Sequence, residues 1–218
     1  MKMNLNDLEI RILGCLMEKE LTTPENYPLS LNALVGACNQ KSNREPVLSL
    51  SEADVLRGLE GLGSRGLARL TTTGGRVGKY CHSAADKLGL GTSARAILAE
   101  LMLRGPQTLG ELRTRGERMA EFADIAAVEE VLAELQQCGP PIVARLPRQA
   151  GRKDARYAQL FAGLPEFSPE EQAAAPEKAA GQIPAQGRVV RLQAEVGTLR
   201  SEISELRREV GELLAQFA

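Results

Sequence analysis

Apolar residues near the start of the chain are spaced three and four positions apart, which predicts an amphipathic helix. Pro24 and Pro28 then interrupt the pattern and predict a loop. Ser30 is placed to cap a short second helix, and Ser51 with Asp54 forms a capping box that opens a third. The residues expected to face inward are Leu5, Leu8, Ile12, Leu13, Leu16 and Met17, then Leu31, Leu34, Val35 and Cys38, then Val55, Leu56, Leu59 and Leu62.

A hairpin is predicted directly after the third helix. Residues 67–73 and 79–82 have strand character and flank a glycine-rich turn over residues 74–78. Three helices followed by a hairpin is the order of a winged helix, which is a variant of the helix-turn-helix. We therefore predict a first winged-helix domain over residues 1–82.

The same pattern occurs a second time, 76 positions later in the chain. Leu67-Ala-Arg-Leu70 is matched by Val143-Ala-Arg-Leu146, and the helix before it and the turn after it are matched as well. A repeat of a whole supersecondary unit indicates a duplicated domain rather than one large core. We predict a second winged helix over 92–162, a connector over 83–91, and packing of one domain on the other. Its expected elements are helices over 94–104, 108–115 and 124–137 and strands over 142–146 and 155–161.

The last quarter of the chain has a different character. Residues 163–187 are rich in Pro, Glu, Ala and Gln, a composition that cannot bury a core, and they predict a flexible linker. Over residues 188–218 the apolar positions form heptads with Leu at every d position, which favours a parallel two-stranded coiled coil and a homodimer. The alternative is that this helix packs on its own domains. The predicted dimer contacts are Val189, Leu192, Val196, Leu199, Ile203, Leu206, Val210 and Leu213, with Phe217 last.

The distribution of charge limits the partners that are expected. Residues 1–90 carry 11 Lys and Arg against 10 Asp and Glu, residues 91–162 carry 10 against 9, and residues 163–218 carry 6 against 9. Two nearly neutral domains lack the strongly basic footprint of a typical nucleic-acid-binding domain, so any DNA contact would need local patches. Residues 1–7 lack the features of a signal peptide, and no stretch approaches the roughly 20 apolar residues of a membrane span. We expect a cytoplasmic protein.

Residues that usually carry catalysis are sparse. The single histidine, His82, ends a predicted strand, where a packed or solvated side chain is commoner than a base. The glycine-rich turn leads into a strand rather than a helix, unlike a phosphate-binding loop. We predict no catalysis, no cofactor and no metal site. The four cysteines are widely spaced and read as small buried hydrophobes: Cys15, Cys38, Cys81 and Cys138.

Three long and unusual segments stand out in the first domain. They are LEIRILGCLMEKE over residues 8–20, TTPENYPLSLNAL over 22–34 and CNQKSNREPV over 38–47. They resemble the YceH-like family of uncharacterised bacterial proteins, and the likeness extends over about residues 4–161. The resemblance implies a tandem winged-helix fold in a cytosolic bacterial protein. It implies no catalytic residues and no established activity, and it does not include the heptad tail.

Two functions are consistent with these features. The leading hypothesis is a non-catalytic, regulatory protein that contacts double-stranded DNA, because wings and the turn before the third helix touch phosphates in helix-turn-helix proteins. Carboxylates such as Glu129 and Glu130 on the third helix of the second domain oppose this hypothesis. The alternative is an adaptor that binds another protein through the helix faces. The candidate DNA contacts are Lys41, Arg44, Arg57, Arg76, Lys79, Arg148, Arg152 and Lys153.

Overall fold

The computed structural model describes residues 3–72, 78–147 and 154–163. Within these ranges the chain is mainly helical and carries two small antiparallel sheets. The described residues of both halves belong to one compact unit. Several predicted residues lie outside the described ranges, namely Arg76, Arg148, Arg152 and Lys153 of the wings, most of the linker, and the coiled-coil positions from Val189 to Leu213.

The first half of the molecule is built from three helices and a small sheet. The two predicted caps are present: Ser30 accepts a backbone N–H at the start of its helix, and Ser51 with Asp54 forms a capping box. Asn6 and Glu9 form a further capping box before the first helix. The elements are α1 (Asp7–Thr22), β1 (Leu29–Ser30), α2 (Leu31–Cys38), α3 (Glu52–Ser64), β2 (Ala68–Thr71) and β3 (Lys79–His82), with a short 3₁₀ turn at Pro24–Asn26.

The strand β1 gives the first sheet a third member. It pairs antiparallel with β3, with Leu29 opposite Tyr80 and Ser30 opposite Lys79, and the strand order is β1-β3-β2. The predicted two-stranded hairpin is present, because β2 pairs antiparallel with β3, but the third strand was not predicted. A strand of two residues is too short to show the alternation by which strands are recognised.

The second half repeats this order of elements. Its sheet is again three-stranded and antiparallel, in the order β4-β6-β5, and it again has a two-residue strand that the sequence did not predict. Helices followed by a small antiparallel sheet are compatible with a winged helix in each half. The elements are α5 (Thr92–Arg104), β4 (Gln107–Thr108), α6 (Leu109–Gly116), α7 (Ile125–Gln137), β5 (Val143–Arg145) and β6 (Arg156–Gln159).

A short helix, α4 (Ala84–Leu88), lies within the predicted connector and joins the two halves. It ends at Gly89, whose φ of +64° is the left-handed conformation that glycine adopts most readily. A connection this short keeps the halves close together, as the sequence predicted.

The two halves share one core, with α1 packed on α5. Both helices bury residues around almost their whole circumference, which is typical of a central helix and not of a surface one. The closest approach is at Gly14, where an added Cβ would lie 2.9 Å from the Cβ of Met102. A side chain at this position would push the helices apart, so the absence of one at Gly14 determines how closely they pack.

Candidate interaction surfaces

The loop before α3 carries two of the predicted DNA contacts, and the structure separates them. Lys41 is exposed, whereas the side chain of Arg44 has no exposed surface. The Arg44 guanidinium donates to both carboxylate oxygens of Glu18, with Nη1 3.0 Å from Oε1, and its Nε donates to the Ala37 carbonyl at 3.0 Å. The prediction that Arg44 lies on an exposed rim facing phosphates is therefore wrong.

The buried Glu18–Arg44 pair extends into the second half. Arg118 Nη2 donates to Oε1 of Glu18 at 2.6 Å and to Oε1 of Glu100 at 2.8 Å. Burial alone would raise the pKa of Glu18, but the Arg44 hydrogen bonds and the Arg44 and Arg118 charges hold that pKa below its usual value. Glu18 is thus an ionised carboxylate in the interior that connects the loop before α3 with the second half.

The rest of this loop is also fixed by hydrogen bonds. The Asn39 side chain donates to the Leu50 carbonyl at 2.8 Å and accepts from the Leu50 N–H at 2.7 Å. The N–H of Glu45 donates to the carbonyl of Leu103 on α5 at 2.8 Å. The Asn39 side chain therefore holds the loop in place.

The exposed face of α3 has mixed charge. The side chain of Arg57 is 71% exposed and pairs with Asp54 at 3.3 Å, so part of its charge is compensated on the same helix. Glu52 and Glu60 are exposed on this helix, and Leu56 is 37% exposed between them. Lys79, the remaining described candidate, is the first residue of β3 and is half-buried.

The exposed face of α7 is acidic. Glu129, Glu130 and Glu134 are exposed on it, and no Lys or Arg lies within the helix. Asp124 caps the helix by accepting from the Ala127 N–H at 2.9 Å. Ile125, the first residue of the helix, is 48% exposed. The third helix of each half therefore presents an aliphatic side chain beside carboxylates.

The family described as protein of unknown function, DUF480, matches residues 5–152. The chain belongs to this family. The resemblance to YceH-like proteins that the sequence motifs indicate is confirmed. The chain is 68% identical to a UPF0502 protein of Citrifermentans bemidjiense, covering 88% of this chain and 89% of the relative. It is 66% identical to a UPF0502 protein of Geotalea uraniireducens, covering 88% of each chain.

The DUF480 match includes the surfaces described above. It contains α3, α7 and the buried Glu18–Arg44 pair, and it ends at residue 152, well before the predicted coiled coil.

In the described part of the chain, no group of three or more His, Cys, Asp and Glu side chains is placed to hold a metal ion. No helix of the described residues is long and apolar enough to cross a membrane.

Two features of these surfaces were not predicted. One is the buried position of Glu18 on α1. The sequence pattern that could have predicted it is the apolar residues on nearly every face of that helix, because a carboxylate among them needs a buried partner. The other is the partner of His82: a packed or solvated side chain was expected, and the structure has it buried and bonded to Glu20. No local spacing in the sequence pairs these two residues, because 62 positions separate them.

Proposed function

We propose that this DUF480 protein is a non-catalytic adaptor that binds other proteins through the exposed faces of α3 and α7. The observation that carries the proposal is the face of α7, where Ile125 lies exposed beside Glu129, Glu130 and Glu134. Aliphatic surface provides the favourable term in protein association, and the carboxylates select the charge of the partner. The partner segment is one that presents Lys or Arg side chains around an apolar centre.

The same residues weaken the hypothesis of DNA contact. Carboxylates on a helix that faces the phosphate backbone oppose binding, because the affinity of DNA-binding proteins depends on neutralising phosphates. Among the four described candidates, Arg44 is buried and Arg57 pairs with Asp54, which leaves Lys41 and Lys79. DNA contact is therefore the competing hypothesis, and it depends mainly on the basic segment Arg148–Lys153.

The proposal includes a tandem winged-helix architecture and a dimer. Each half has the order of a winged helix, and the buried ion pairs hold the two halves in a fixed relation, so both third helices would be presented together. The heptads over 188–218 would add a second copy through a linker of about 25 residues, which spans roughly 25–30 Å if it behaves as a random coil. A partner with repeated binding segments would then gain avidity without a fixed spacing.

The experiment is affinity capture with the full chain, followed by reconstitution with a purified partner. Two variants, Leu56→Glu and Ile125→Glu, change exposed residues and leave the core intact. The matched control is Leu70→Glu, since Leu70 is exposed on β2 and belongs to neither helix. The bound proteins are identified by mass spectrometry from lysate treated with nuclease, and the affinity for each purified candidate is then measured by calorimetry.

We expect the capture to identify at least one partner protein that binds the purified chain directly. Its affinity for the chain should fall at least tenfold in Ile125→Glu or Leu56→Glu and should be unchanged in Leu70→Glu. Placing one charge in an apolar contact of this kind costs on the order of 1.4 kcal/mol or more, which is a factor of ten. Capture that disappears on nuclease treatment, or affinities that none of the helix variants changes, would refute the adaptor proposal.

A further inference from the structure

A cavity of about 590 Å³ opens where the two halves join. The end of α1, the strands β2 and β3, the connector helix α4 and the start of α5 contribute to its wall. Its lining combines aromatic, charged and aliphatic side chains, including Tyr27, Arg69, His82, Asp86, Leu90 and Arg95. This lining is richer in charged groups than the apolar interior of the molecule.

One part of the wall is a fixed polar cluster. His82, whose side chain is 1% exposed, lies with Nε2 3.0 Å from Oε2 of Glu20, and Arg95 donates to the same oxygen. The hydrogen bond with His82 and the charge of Arg95 hold the pKa of Glu20 below its usual value, although burial works against them. The carboxylate of Glu20 is therefore ionised and already engaged, so it is not available to a ligand.

Tyr27 has a hydroxyl proton to donate. Its oxygen accepts the backbone N–H of His82 at 2.8 Å, which fixes the ring at the cavity. Burial raises the pKa of the Tyr27 phenol well above its usual value, so the hydroxyl keeps its proton at neutral pH. Among the described residues, no acceptor is found for that proton. Arg69 lines the same cavity as this hydroxyl.

Two further charges line the cavity without a partner in the described part of the chain. Arg69, on β2, and Asp86, on α4, are both exposed, and they form no ion pair with each other or with another described side chain. The cavity wall thus offers a guanidinium, a hydroxyl donor and a carboxylate, each on a different part of the chain. Pro28 and Leu90 add apolar surface to the cavity wall.

We propose that this cavity binds a small zwitterion that carries one carboxylate and one ammonium group, of the class of the free α-amino acids. Arg69 and the Tyr27 hydroxyl bind the carboxylate, because a guanidinium forms strong charge-assisted hydrogen bonds with that group. Asp86 binds the ammonium group, and the ligand side chain packs on Pro28 and Leu90. A dianion is disfavoured, since Asp86 and Glu20 would repel its second charge.

The test uses the full chain and the twenty amino acids as separate probes at 10 mM, with thermal unfolding as the first measurement. Sodium acetate and ammonium chloride at the same concentration supply each charge alone. The variants are Arg69→Gln and Asp86→Asn, which alter exposed side chains. Arg57→Gln is the matched control, because Arg57 is an exposed arginine on α3, outside the cavity.

The expected result is that at least one amino acid raises the midpoint of unfolding, by roughly 3–6 °C at ten times its Kd, and that neither acetate nor ammonium does so. Each cavity variant should weaken this amino acid at least tenfold, and Arg57→Gln should not. Amide chemical shifts of Gly89, Leu90 and Gly91 should move during the titration. The proposal is overturned if no amino acid acts, if acetate alone reproduces the shift, if Arg69→Gln retains full affinity, or if those amides stay unchanged.

Discussion

Replacing Arg44 by alanine is expected to destabilise the protein strongly. Glu18 is fully buried, and Arg44 donates to both of its carboxylate oxygens. The substitution leaves Arg118 on Oε1 and only Lys19, at 3.7 Å, near Oε2. Removing one partner of a buried ion pair costs about 3–5 kcal/mol, a large part of the roughly 5–15 kcal/mol that a domain has. The free energy of unfolding, measured in urea, should fall by that amount.

The control for this prediction is Arg57→Ala, which removes a mostly exposed arginine and should change stability by about 0.5 kcal/mol or less. The dependence on pH provides a second check. Because the folded-state pKa of Glu18 is lowered, its stabilising contribution is present above the unfolded value of about 4.3 and is lost as pH falls through the folded pKa. The stability of Arg44→Ala should therefore fall less steeply on acidification than that of the natural chain. If Arg44→Ala matched Arg57→Ala in urea, the account of a buried pair would be refuted.

Other changes probe the packing, the thiols and the assembly. Gly14→Ala should lower the free energy of unfolding by about 1–3 kcal/mol, because the new Cβ meets Met102. Gly36→Ala, which has open space around it, should raise that free energy by up to about 1 kcal/mol. Both are measured by unfolding in urea, and equal effects of the two substitutions would contradict the close contact at Gly14. Cys138, the one cysteine of the four that is not buried, should react first with Ellman's reagent, and an unchanged rate in Cys138→Ser would refute this. Truncation after Gly187 should halve the mass measured by light scattering if the heptads dimerise the chain, and an unchanged mass would contradict that.

Local signals in the sequence predicted the helices and their caps well. The Ser51 capping box and the Ser30 cap depend on residues three positions apart, and such contacts are visible in any short window. The order of helices and hairpins followed from the periodicity and from the repeat. The strand β1 was missed because its two residues become a strand only by pairing with β3, about 50 positions later.

Charges were assigned less well than helices, because the exposure of a side chain depends on distant partners. Arg44 lies in a polar loop and reads as a solvated cation, yet Glu18, 26 positions earlier, draws it into the interior. His82 and Glu20 meet in the same way, through the packing of β3 on the end of α1. The acidic surface of α7 was predicted correctly from composition. The exposure of these carboxylates depends on their positions along one helix and not on a distant partner.

The central claim, that the helix faces serve a protein partner rather than DNA, is tested most directly by salt-dependent binding to DNA. The full chain is titrated into a labelled duplex of random sequence at 25 mM and 200 mM salt, with fluorescence anisotropy as the measurement. The account predicts no saturable binding in the micromolar range at either salt concentration. Binding at 25 mM salt that weakens by about 10³-fold or more at 200 mM would show several phosphate contacts and would contradict the claim.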